Sequence, residues 1–127
     1  MNQLTMYYLE KDKDKECILF YKSGLFYKAY EDDAILLSYL LNLNLKRKND
    51  TFYEVSLSKQ HILNLEQKYK IDYYLDNKFF HFIENEYSIY LEKAKTKLQL
   101  DLVYQYLLNK IDNGEDISYF LNLSEEI

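Results

Sequence analysis

The chain has 127 residues, 48% of them hydrophobic, 17% aromatic and 29% charged, with 16 basic against 21 acidic side chains. That size and balance fit a globular domain that buries roughly two-thirds of its unfolded surface without help from a disulfide or metal, and 15 Tyr with 7 Phe exclude a disordered chain. One cysteine, Cys17, cannot form an internal bridge; with no apolar run near the roughly 18 to 20 residues of a bilayer span and no signal-peptide pattern after Met1, a cytoplasmic location away from membranes is expected.

The charge is uneven. All sixteen basic residues lie at or before Lys110, whereas Asp112, Glu115, Asp116, Glu125 and Glu126 follow without a cation. Residues 1–111 are therefore neutral and read as the folded domain, with 112–127 an acidic C-terminal segment. The densest basic cluster is Lys46-Arg47-Lys48.

With no proline and only Gly24 and Gly114 as glycines, element boundaries must come from periodicity. Residues 2–11 read as a short helix, followed by the charged turn 12–16. Cys17-Ile18-Leu19-Phe20-Tyr21 is apolar on both sides of its alternation, the pattern of a strand buried on both faces and central in its sheet. Ser23-Gly24 breaks it, and 25–30 resumes as a second strand. Glu31-Asp32-Asp33 precedes an apolar helix to about Leu41, with Asp32 or Asp33 as its cap. Leu43 and Leu45 alternate with polar residues as a short strand, Lys48-Asn49-Asp50 turns, and 51–55 is another strand. Ser58 is suited to cap a helix carrying Ile62, Leu65 and Tyr69. The runs 71–75 and 78–83 flank Asp76-Asn77, whose side chains tolerate the positive φ of a tight hairpin turn. Tyr73, Tyr74, Phe79, Phe80 and Phe82 should then divide between core and surface. From 85 to 111 the spacing of Tyr87, Leu91, Ala94, Leu98, Leu102, Tyr106 and Ile111 follows one face of a long helix, unbroken or broken once. Gly114 would stop it before an amphipathic segment carrying Ile117, Phe120, Leu121 and Leu123. This order predicts an α/β (α+β) domain: a mixed sheet of four to six strands flanked by helices, with a long C-terminal helix.

A search for catalytic chemistry returns little. His61 and His81 lack any metal-ligand spacing, Cys17 opens the most apolar strand, and no glycine-rich phosphate cradle exists. The acids 31–33 are explained by the helix start. A non-enzyme without cofactor or metal is expected.

One stretch carries more. Ile18 to Gly24, Leu25 to Lys28, Asp33-Ala34 and then Leu43-Asn44-Leu45-Lys46-Arg47-Lys48 follow one another without a gap, and this order resembles the N-terminal, mismatch-recognition domain of the MutS DNA repair family. That pattern runs as a buried strand of the type L-L-F-[FY]-[RK]-x-G, then D-F-Y-E, an acidic D-A helix start, and a leucine-rich helix leading to basic residues. The resemblance implies a wedge role for Phe26, which matches the phenylalanine stacking on a mispaired base. Two positions depart from the pattern. Lys28 stands where the family has the glutamate that hydrogen-bonds that base, and Leu25 replaces the preceding aspartate. Lysine donates only, so base discrimination by an acceptor is not expected. The family's glycine, prolines and histidine before the second helix have no counterpart in Thr51 to Ser58, and nothing here resembles its ATPase region.

Two functions are expected to compete. One is a non-enzymatic DNA-binding module, its partner double-stranded DNA, with Phe26 and Lys28 at the minor groove and Lys22, Lys46, Arg47 and Lys48 on phosphates. The other is a protein-binding module that uses its Tyr-rich surface, for example a phage or mobile-element inhibitor of a host defence system. Phe26 itself, lying between Leu25 and Tyr27 in a strand, also fits a core position.

Overall fold

Asn2 opens the first helix by accepting from the Thr5 amide at 2.9 Å, in a computed structural model that describes residues 2–112. Helix α1 (Gln3–Lys13) leads to β1 (Ile18–Leu19), β2 (Tyr21–Ser23) and β3 (Phe26–Tyr30). Then come α2 (Glu31–Leu41), β4 (Lys46–Lys48), β5 (Phe52–Leu57) and α3 (Lys59–Lys68). The hairpin β6 (Tyr73–Leu75) and β7 (Lys78–Phe80) precedes α4 (Tyr87–Asp112). The architecture is mixed α+β, with one three-stranded sheet in the order β1-β6-β7 and one four-stranded sheet in the order β2-β3-β5-β4. Among the described residues only the β1–β6 pair is parallel. One compact unit runs to Ala94, and a second begins at Lys95.

The apolar run at 17–21 is buried throughout, as its two-sided pattern requires. It is not one central strand, however. β1 is an edge of one sheet and β2 an edge of the other, and the segment is the joint between them. Its alternation serves two cores. Ile18 and Phe20 join Tyr27, Ala29, Leu36, Val55, Ile62 and Tyr73 on one side. Cys17, Leu19 and Tyr21 meet Tyr7 and Tyr30 on the other, where α1 packs. Burial pushes the Cys17 thiol well above its ordinary value, so it stays protonated and packs as a small apolar group.

Each tight turn has the backbone that its residues permit. Asp76 and Asn77 adopt φ of 51° and 65°, and Asn49 and Asp50 adopt 50° and 55°. Asp76-Asn77 is a two-residue turn between the paired Leu75 and Lys78, with positive φ at both central positions, the pattern whose twist matches antiparallel strands, whereas Asn49 and Asp50 belong to a three-residue connection, 49–51, between the paired Lys48 and Phe52. The β2–β3 turn differs. Gly24 has φ 64° and Leu25 is not in the left-handed region, which fits a type II′ turn with glycine at its first central position. Ser58 caps α3: its hydroxyl accepts from the His61 amide at 3.3 Å, while His61 Nδ1 accepts from the Ser58 amide at 3.1 Å. That capping box assigns His61 a structural task.

Three further expectations need correction. The N-cap of α2 is Tyr30, without a side-chain bond, not Asp32 or Asp33. Strand turns into helix with no loop because Glu31 takes a φ of 50°, and its carboxylate is held by the Tyr53 amide at 2.8 Å and the Tyr8 hydroxyl at 3.0 Å. Leu43 and Leu45 are not a strand; they pack on the core from the connection, and pairing with β5 begins at Lys46. Finally, α4 is unbroken, and its apolar stripe buries Tyr87 and Ala94 while Leu102, Tyr106 and Ile111 stay exposed. Periodicity marks a face of a helix without saying that anything covers it. The expected stop at Gly114, the segment after it and nearly all of the acidic stretch 112–127 lie outside the described residues.

Asp33 ties the first unit together. It is fully buried, and Lys11 Nζ and the Tyr87 hydroxyl donate to its Oδ1 at 2.7 and 2.6 Å while the Leu19 amide donates to Oδ2 at 3.0 Å. Lys11 also donates to the Cys17 carbonyl and lies 4.4 Å from the centroid of the Tyr87 ring. Four elements (α1, β1, α2 and α4) thus meet at one carboxylate. Burial pushes that carboxyl up, opposed by the Lys11 charge and the three donors. Three donors on two oxygens offset part of that cost.

Candidate nucleic-acid interface

Strand register decides which basic residues share a surface, because directly opposed residues present their side chains on the same face. Lys28 lies opposite Ser56 and Tyr21, Lys46 opposite Glu54, and Lys48 opposite Phe52. Phe26, two residues before Lys28, joins the same face opposite Ser23. Lys22 and Arg47 lie opposite Tyr27 and Tyr53 and so point to the other face. Arg47 is occupied there, with its guanidinium 5.4 Å from the Tyr53 ring centroid and a bond to the Asp50 carbonyl at 3.3 Å. The six residues singled out from the sequence therefore divide into Phe26, Lys28, Lys46 and Lys48 on one face and Lys22 and Arg47 on the other.

Helix α1 covers only part of that first face. Tyr7 and Leu4 pack over Tyr21 and Tyr30, and Phe26 is left 55% exposed, with Leu25 beside it 92% exposed. A core position for Phe26 is thereby overturned. It pairs with Ser23 at the mouth of a two-residue turn.

Lys28 and Lys48 are not independent charges. Lys28 Nζ lies 3.5 Å from Glu54 Oε1 and Lys48 Nζ lies 3.6 Å from Oε2. The Glu54 side chain is 7% exposed, whereas those of Lys28 and Lys48 are 32% and 46% exposed. A buried carboxylate is thus roofed by two lysines that still reach solvent. The cluster Lys28, Lys46, Lys48 and Glu54 retains two net positive charges. Sequence reading missed Glu54, because the register that sets an acid on β5 among cations of β3 and β4 is not visible before strands are paired.

The hairpin aromatics divide as alternation predicts. Tyr73 is buried and stacks on Phe80 at 4.6 Å, while Tyr74 and Phe79 are half-exposed and stack on each other at 4.6 Å. His81 Nδ1 lies 2.7 Å from Asp72 Oδ2, and its ring stacks against Phe79. Among the described residues no group of three or more His, Cys, Asp or Glu side chains gathers as a metal site. No helix of the described residues is long and apolar enough to cross a membrane.

Comparison with protein families matches residues 3–70, just over half of the chain, to MutS domain I. The chain belongs to the MutS domain I family. The match contains α1 through α3 and with them Phe26, Lys28, Glu54 and the β4 lysines. It also runs through Thr51 to Ser58, where the family's glycine, prolines and histidine were missing, so in this MutS domain I the strand β5 occupies that stretch without them. A search of curated proteins returns no match.

Proposed function

We propose that this MutS domain I is a non-enzymatic module that binds double-stranded DNA, with Phe26 meeting the bases and Lys28, Lys46 and Lys48 meeting phosphates. The observation that carries the reading is the exposed Phe26 on the one sheet face that also bears these three lysines. An aromatic ring stacks on any unstacked base, and lysines provide sequence-independent attraction to the backbone. With Lys28 in place of an acceptor, recognition rests on how easily a step unstacks.

The test is fluorescence anisotropy of the intact chain with a fully paired duplex and a mismatched one, at several salt concentrations. Salt-dependent binding of both is expected; no binding even at low ionic strength rejects the reading. Phe26→Ala should reduce the preference for the mismatched duplex about tenfold, since stacking of one base is worth roughly 1–3 kcal/mol, and leave binding to the paired duplex nearly unchanged. Glu54→Gln should strengthen binding to both duplexes and steepen the log–log salt dependence by about one unit, because each additional neutralised phosphate contributes roughly 0.9. An unchanged slope would mean that the Glu54 charge does not limit Lys28 and Lys48.

A protein-binding reading has its own observation, since Leu102, Tyr104 and Tyr106 are all about half-exposed on α4 and aromatic surface of this kind anchors protein interfaces. It becomes the leading reading if DNA binding is absent.

A further inference from the structure

The tip of the β2–β3 hairpin presents two apolar side chains in succession, and the more exposed of them is not Phe26 but Leu25, at 92%. A leucine left almost wholly in water gains nothing for the folded chain. The tip is nevertheless well built. Three residue pairs, Tyr21 with Lys28, Lys22 with Tyr27 and Ser23 with Phe26, zip the strands up to a two-residue turn. Gly24 takes the positive φ that this turn needs, and a Cβ placed on it would meet nothing within 4 Å. Gly24 therefore stands clear of other residues, and behind the turn the Gln3 side-chain amide of α1 donates to the Lys22 carbonyl at 2.7 Å, so the ribbon has little freedom to lose. Cations adjoin it on both faces of the ribbon: Lys22 is exposed on one, and Lys28 reaches solvent on the other. On the Phe26 face Glu54 is roofed by Lys28 and Lys48.

We infer that Leu25 and Phe26 together form a two-pronged apolar wedge that enters an unstacked step of duplex DNA, Leu25 being a second inserting side chain. This rests on the DNA-binding reading above and adds Leu25 to Phe26 as a second residue at the same site. Leucine and phenylalanine are both suited to insertion between base steps, where the cost of unstacking is offset by apolar burial. The cost is least at a flexible or defective step. An aspartate at position 25, as in the family pattern, has no such use; its charge would face phosphates. Pre-organisation by the type II′ turn means that neither prong must be ordered on binding.

The experiment compares the intact chain with Leu25→Ala and Phe26→Ala on two duplexes of equal length, one fully paired and one with a central single-nucleotide bulge flanked by 2-aminopurine. Both substitutions are at exposed positions, and unchanged circular dichroism and Tm verify folding. The expected result for Leu25→Ala is about a tenfold loss of affinity for the bulged duplex, affinity for the paired duplex within twofold of the unsubstituted chain, and a smaller 2-aminopurine fluorescence change on binding. If Leu25→Ala binds the bulged duplex as tightly as the unsubstituted chain while Phe26→Ala does not, the second prong is refuted and DNA binding through Phe26 stands. If Leu25→Ala weakens both duplexes equally, Leu25 is a general contact and the wedge is likewise refuted. If the unsubstituted chain binds neither duplex, the DNA reading itself falls and takes this one with it.

Discussion

Asp33→Ala is expected to destabilise the chain by about 3–5 kcal/mol, a fall in Tm of roughly 10–20 °C. The loss has little to do with side-chain volume. Removing the carboxylate strands the Lys11 ammonium, which is only 12% exposed, and leaves the Tyr87 hydroxyl and the Leu19 amide without the acceptor they now share. Uncompensated burial of one charge and two donors is among the costliest single changes available to a domain whose whole stability is of the order of 5–15 kcal/mol. Ionisation of Tyr87 is no remedy, because burial, the largest cause of its raised hydroxyl, persists when Asp33 is removed. Urea unfolding measures the effect. The decisive comparison is the double substitution Lys11→Met with Asp33→Leu, which removes both charges and should recover a large part of the loss. If the double variant is as unstable as the sum of its parts, the Lys11–Asp33 pair is not what Asp33→Ala breaks.

Tyr73→Ala should cost a similar amount, about 3–5 kcal/mol, by a different route. Tyr73 is 2% exposed, stacks on Phe80 at 4.6 Å and meets the edge of Phe20 at 5.8 Å, so its ring joins β6, β7 and the joint between the sheets. Truncation opens a ring-sized cavity between residues of three elements that cannot all close in. Its hydroxyl donates to Glu66 at 2.9 Å on α3, and Tyr73→Phe isolates that bond. The Phe variant should lose only about 0.5–1.5 kcal/mol. Equal losses for Ala and Phe, measured by urea unfolding, would locate the stabilisation in the Glu66 bond and not in the ring.

Much of this domain could be read from local chemistry. The Asp76-Asn77 hairpin and the Ser58 cap depend on what a few adjacent residues do to their own backbone, and both form where the sequence places them. The two-sided burial of 17–21 was equally legible, since an apolar residue at every position leaves no face for water. Its role as a joint was not, because β1 and β2 differ in their partners and not in their composition. The same limit governs the site. Composition drew attention to Phe26 and to Lys46-Arg47-Lys48, and the family pattern linked them. Whether Phe26 lay in the core or at the surface depended on how far α1 extends over the sheet. Register then separated Lys46 and Lys48 from Arg47 and set Glu54 beneath Lys28 and Lys48. Asp33 looked like a helix-start acid because its sequence neighbours are acids; its actual partners, Lys11, Leu19 and Tyr87, lie 22, 14 and 54 residues away. Sequence determined the elements whose causes act over a few bonds. Tertiary structure alone decided the charges and contacts, since at short range in a medium of low dielectric their energies depend on distances that only the assembled fold defines.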